Sequence, residues 1–147
     1  MRRTRHLRLG LVALAIACVA AAGCSKTAAE EEATSGEAKI TAIKGSDVKQ
    51  VTLTKDAARR LDVQTANAAV DGDLTTVPYA AVFYDPTGAT WTFTNPDGRV
   101  YVRAPITVDH IEGDVAFLAK GPGAGTAVVT VGGPEIYGAE IGVGEEE

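Results

Sequence analysis

"GPGAGTAVVTV", Gly121–Val131, is the stretch on which the fold turns. Glycines at alternate positions can form a loop whose backbone N–H groups hold a phosphate, provided that a helix starts directly behind them. Behind these glycines stand Thr126, Val128, Val129, Thr130 and Val131, a β-branched series that favours an extended strand. Thr126 also occupies the position after the last glycine, where a phosphate-gripping loop carries lysine. The stretch reads as a hairpin connection between "VAFLA" and "TAVVTV", with its glycines supplying backbone freedom, and nucleotide binding is not expected.

Upstream of it, "RVYVRAPITVDHI", residues 99–111, alternates apolar and polar side chains over its whole length. Val100, Val102, Ala104, Ile106, Val108 and His110 fall on one face, with Tyr101, Arg103, Thr107 and Asp109 on the other, the pattern of a half-buried antiparallel strand. "EGD" then turns the chain into "VAFLA". Two tetrads, "DPTG" at 85–88 and "NPDG" at 95–98, carry Asp or Asn first, Pro second and Gly fourth, as type I turns do. They bracket "ATWTFT", a strand holding Trp91. Before them "VPYAAVFY", residues 77–84, reads as a strand with Pro78 near its start or on an edge.

Further toward the N-terminus, "VKQVTLT" at 48–54 alternates in the same way and "DGD" at 71–73 marks a turn. Thr54 is placed to cap a short helix over "KDAARRL", which puts Ala57 and Leu61 on one face. The expected fold is therefore all-β: a small antiparallel barrel or roll of about six to eight strands over residues 46–143, with one short helix.

The chain's ends have another character. Arg2, Arg3, Arg5 and Arg8 precede the apolar run "LGLVALAIACVAAAGC", so residues 1–23 read as a secretory signal, too short for a convincing membrane span. Its end "AAGC", residues 21–24, resembles the lipobox of bacterial lipoproteins, in which the cysteine is acylated and becomes the first mature residue. Cys24 is thus the expected lipidation site, and diacylglycerol with its two chains (palmitate among them) suffices for stable anchoring on the extracytoplasmic face of the cell membrane. The bland alternative is an ordinary secretory signal cut nearby. Residues 24–45, rich in Ala, Glu, Ser and Thr, read as a disordered, solvated tether, and 144–147 as an acidic tail. Loss of the signal's four arginines would take the formal charge from −5 to −9, a balance unsuited to nucleic acid.

Chemistry-bearing residues are sparse. Beyond the signal there is one histidine, His110, and one cysteine, Cys24. Asp109 and His110 are neighbours on a predicted strand, where adjacent side chains point to opposite faces, so His110 reads as a partly buried structural residue in phase with Val108. Asp85, Asp97, Glu112 and Asp114 all fall in predicted turns, where carboxylates cap backbone N–H groups. Tyr79, Tyr84, Trp91, Phe93, Tyr101, Phe117 and Tyr137 alternate along strands as packing residues do. No catalytic, metal or cofactor site is expected, and the chain does not read as an enzyme.

The order of segments resembles the membrane-proximal, C-terminal part of the periplasmic adaptor subunits, or membrane fusion proteins, of efflux transporters. The residues that carry it are Val77, Pro78, Ala81 and Val82 in one strand, then Gly121, Gly125, Val128, Val129, Thr130 and Gly132. "VTLTKDAARRLDVQTANA" is similar to an earlier segment of the same family. The resemblance spans residues 50–140 and implies a lipid-anchored, membrane-proximal β-domain whose partner is an inner-membrane permease. The adaptors' long helical hairpin and split lipoyl domain have no counterpart here. Those parts help adaptors to form rings, so oligomerisation is left open. The competing expectation is a small-ligand or metal-binding lipoprotein that delivers cargo to a transporter.

Overall fold

The computed structural model describes residues 33–142. Within these residues twelve strands form two antiparallel sheets, with two α-helices and one short 3-10 helix. The first strands, β1 (Ala33–Ser35), β2 (Ala38–Ala42) and β3 (Lys49–Leu53), pair in sequence order. Helix α1 (Lys55–Arg60) comes next, with β4 (Gln64–Asn67), β5 (Ala69–Asp71) and β6 (Leu74–Pro78) after it. A 3-10 turn at Tyr79–Ala81 leads to β7 (Phe83–Tyr84), then come β8 (Thr90–Asp97) and β9 (Val100–Pro105). Strands β10 (Thr107–Glu112), β11 (Val115–Lys120) and β12 (Ala127–Val131) precede helix α2 (Gly133–Ile141).

The eight-stranded sheet runs β1-β2-β3-β9-β8-β12-β4, with β7 paired beside β8; the four-stranded sheet runs β10-β11-β6-β5. The all-β, antiparallel expectation holds. No closed barrel is formed, because both sheets are open, ending at β1 and β4 and at β10 and β5. The strand number exceeds six to eight because several runs that read as single strands are divided.

Residues 99–111 are one of these. Pro105 lacks the N–H that would continue the ladder, so the chain leaves the large sheet there and β10 enters the small one. Thr90 holds the corner: its carbonyl accepts from Ile106 N at 3.0 Å and its hydroxyl donates to Ile106 O at 2.9 Å. On β9 the expected phase is inverted, for Tyr101 is 3% exposed while Val100 and Val102 are half-buried. The face that carries Tyr101 is the one that α1 and α2 cover, and the large aromatic takes it. Pro78 likewise ends β6 rather than opening a strand, and the 3-10 turn breaks "VPYAAVFY".

Two apolar clusters result. One joins Ile40, Val51, Leu53, Phe93, Tyr101 and Val129 to Ala57 of α1 and Ile136 of α2. The other joins Ala68, Val77, Ile106, Ala116, Leu118 and Val128 between the sheets. Neighbours Val128 and Val129 on β12 thus point into different clusters, as strand alternation demands.

Thr54 caps α1, its Oγ1 accepting from Ala57 N at 3.2 Å, as the sequence predicts. Helix α2 is not among the elements expected from the sequence. Pro134 in its first turn and Gly142 behind its last, at φ 79°, are its start and stop signals. The expected tether, 24–45, also loses its second half: Ala38 and Ile40 are buried where β2 pairs with β3. An isolated Ile among alanines is a weak strand signal until a partner strand covers it. The signal, the first part of the tether and the acidic tail, within residues 1–32 and 143–147, lie outside the described residues. Among the described residues, no helix is long and apolar enough to cross a membrane.

Candidate docking surface

The four-stranded sheet presents one face to the second cluster and the other outward. Across β10 and β11 the register pairs Val108 with Leu118 and His110 with Phe117, so Asp109 is an extra residue in the ladder. This bulge corrects the reading of His110: it stands on the face opposite Val108, with its side chain 42% exposed, instead of sharing the buried phase. The same bulge brings Asp109 and His110 together, which strict alternation forbids, with Nδ1 to Oδ2 at 2.8 Å. The His110 ring stacks on Phe117 at 4.3 Å between centroids and 12° between planes. Glu112 Oε1 stands 3.7 Å from Nε2, on the other side of the ring. Two carboxylates therefore flank the imidazole from opposite edges, and they converge on no common point where a metal ion could sit.

Register adds Val115 and Pro78 to this outward face beside Thr76 and Ala69. Tyr79 comes directly after the end of β6, its N–H donating to Asp114 O at 2.7 Å, and is 40% exposed. Tyr84 is 55% exposed, and its hydrogen bond with Tyr79 pushes the Tyr84 hydroxyl pKa up. Asp71, Asp73, Asp109, Glu112 and Asp114, on this sheet and in its two turns, are all exposed, with Lys120 as its cation. An aromatic and aliphatic surface with an acidic border is the outcome.

A second constellation lies on the opposite side of the large sheet, under α2. Glu140 is 3% exposed, and its Oε1 accepts from Lys49 N at 3.1 Å and from Arg103 Nε at 3.2 Å. Arg103 sits over Trp91, 4.1 Å from the ring centroid, and 5.3 Å from that of Tyr137. Trp91 Nε1 in turn donates to Asp85 Oδ2 at 3.0 Å. The carboxylate neutralises the guanidinium and the two rings cover it, so this group ties α2 to β3, β8 and β9. Sequence reasoning missed it because Glu140 lies 37 residues beyond Arg103; a glutamate within the predicted end of a β-domain was the available signal.

Of the other residues singled out in the sequence, Asp85 caps its turn as expected, accepting from Thr87 N at 2.9 Å and Ala89 N at 3.1 Å. Asp97 is exposed at the turn between β8 and β9, and Glu112 and Asp114 are exposed together at the turn between β10 and β11. Cys24 lies outside the described residues. Among those described, no group of three His, Cys, Asp or Glu side chains could hold a metal ion. "GPGAGT" is a turn as expected, but it joins the two sheets and is no hairpin, since β11 and β12 belong to different ones. Compared with known protein families, curated proteins and solved structures, the chain matches none.

Proposed function

We propose that this protein is a non-catalytic accessory subunit, lipid-anchored at Cys24 on the extracytoplasmic face of the cell membrane, that docks on an export transporter in the manner of an adaptor. The observation that carries the proposal is the outward face of the four-stranded sheet. Phe117 and Val115 on that face, with Tyr79 directly after β6 and Tyr84 of β7, in the large sheet, hydrogen-bonded to Tyr79, offer partly apolar contact area beside an acidic border, the anatomy of a transient protein interface with a polar rim. The lipobox-like "AAGC" supplies the location, and the ordered segments resembling adaptors supply the kind of partner. The segments that carry the resemblance, residues 77–82 and 121–132, contribute β6, the turn after it and β12, which support this face and pack it on the large sheet.

Crosslinking of the intact lipoprotein in native membranes, with subsequent purification in mild detergent, tests this reading. A permease subunit is expected to copurify, and Phe117→Asp together with Tyr84→Asp to abolish its recovery. Recovery unaffected by those changes, or recovery of no transporter component, overturns it. Cys24→Ala is expected to move the protein out of the membrane fraction, and retention there would sink the anchor.

A further inference from the structure

The geometry points to a second surface, on the opposite sheet, that rests on the bilayer itself: a cationic groove that receives an anionic phospholipid headgroup. This inference rests on the anchor at Cys24. The groove is open, about 410 Å³, and lined by Thr52, Lys55, Asp97, Gly98, Arg99 and Val100. Lys55 and Arg99 are both exposed, and neither makes an ion pair among the described residues. Lys39 stands on the same face, since it pairs with Thr52, which pairs with Val100, and directly opposed residues share a face; the groove's own cations are Lys55 and Arg99. Asp97 is the carboxylate in the lining; Glu37 nearby is bound to Arg60.

Three features make lipid the occupant. The first is where the chain enters. Thr34 of β1 lies in the same register row as Lys39, Thr52 and Val100, three strand spacings or about 15 Å from β9. Eight residues separate Cys24 from Ala33, and such a segment reaches about 30 Å at most. An acylated Cys24 therefore holds this edge of the large sheet, and with it the groove, within reach of the headgroups. The second is charge polarity. Residues 36–60, spanning β2, β3, α1 and the connections between them, carry six cations, Lys39, Lys44, Lys49, Lys55, Arg59 and Arg60, against three carboxylates, Glu37, Asp47 and Asp56, two of them paired with Arg60 and Arg59, so this end is net positive, whereas the four-stranded sheet is acidic. An anionic surface attracts the first end and repels the second, so the acidic docking face is turned away from the lipid and toward protein. The third is a fixed presentation. Asn95 Nδ2 donates to both Gly98 O and Val100 O at 2.8 Å, and Leu53 N donates to Arg99 O, so the turn carrying Arg99 is braced on both sides.

The full lipoprotein, reconstituted in vesicles, tests the inference. Pro96→Cys places a thiol on the braced turn, and with Cys24 acylated it is the one free thiol for a fluorophore; Asp73→Cys does the same on the four-stranded sheet. Vesicles of phosphatidylcholine carry a quencher on the headgroup, with or without about one quarter phosphatidylglycerol, each cation near such a surface shifting the docked population about fivefold. Quenching at Pro96 is expected to rise with the anionic lipid, to fall in a Lys55→Glu, Arg99→Glu variant and to rise further in Asp97→Asn. The Asp73 label is expected to stay unquenched throughout. Equal quenching in neutral and anionic vesicles, or no response to charge reversal, overturns the groove while leaving the anchor in place. A protein that does not partition into vesicles at all removes the anchor and this orientation together.

Discussion

Asp85 shows how much a single turn residue can organise. Its carboxylate accepts from the Thr87 hydroxyl at 2.6 Å, from two backbone N–H groups of its own turn and from Trp91 Nε1. These bonds favour the ionised form, the Thr87 hydroxyl most of all, and hold the pKa below its ordinary value against a smaller opposing effect of desolvation. A carboxylate with a lowered folded pKa contributes stability that is present above its unfolded pKa and is lost as pH falls through the folded one. Asp85→Ala is therefore expected to flatten this part of the acid limb of the stability profile. It should also red-shift Trp91 emission, because the indole N–H would turn to water. Unfolding by urea between pH 7 and pH 2, monitored by fluorescence, checks both outcomes. The turn itself was legible in "DPTG", since Asp, Pro and Gly act locally; the tie to Trp91 was not, because it depends on where β8 lies against β7.

At the scale of elements, the connection between β11 and β12 separates three glycines that look alike in sequence. Gly125 has φ 82°, in the left-handed region that a side chain disfavours. Gly121 lies outside that region, but a Cβ there would come 2.7 Å from Leu118 Cδ1, so the buried Leu118 side chain, 2% exposed, would have to shift. At Gly123 a Cβ meets nothing within 4 Å. Thermal unfolding of the three alanine variants is expected to rank them accordingly. Gly125→Ala should cost about 1 kcal/mol from backbone strain, Gly121→Ala about 1 kcal/mol or more from overpacking, and Gly123→Ala less than about 0.5 kcal/mol. Only the first of these reasons is of the kind the sequence suggested. The second arises because the loop crosses from one sheet to the other and passes over the core at Leu118.

The whole molecule is tied together by strands that serve both clusters. Val128 is 0% exposed among the residues between the sheets, while Val129, 2% exposed, lies with Phe93 and Ile136. With β9 and β10 also continuous across the corner at Pro105 and Ile106, the small sheet has no core of its own to unfold around, since its buried face rests on the cluster it shares with Val128 of the large sheet. One cooperative transition is expected, in which Trp91 fluorescence reports the large sheet and the Phe117 and His110 NMR signals the small one, with coincident midpoints. Val128→Ala should lower both midpoints together, for a loss of stability of about 2 kcal/mol. Separate midpoints would show that the sheets are independent units.

Local chemistry determined the antiparallel β class, the cap at Thr54, the turns at Asp71–Asp73, Asp85–Gly88 and Glu112–Asp114, and the absence of a helix behind the glycines. These depend on side-chain shape and backbone preference within a few residues. Tertiary structure alone decided the division into two open sheets, the burial of Ala38 and Ile40, the seat of α2 and the pairing of Glu140 with Arg103. It also decided the outward turn of His110, because a bulge is defined only by the strand opposite. Alternation along one strand says that two faces differ, but which of them is covered depends on what packs there, as Tyr101 and His110 both show.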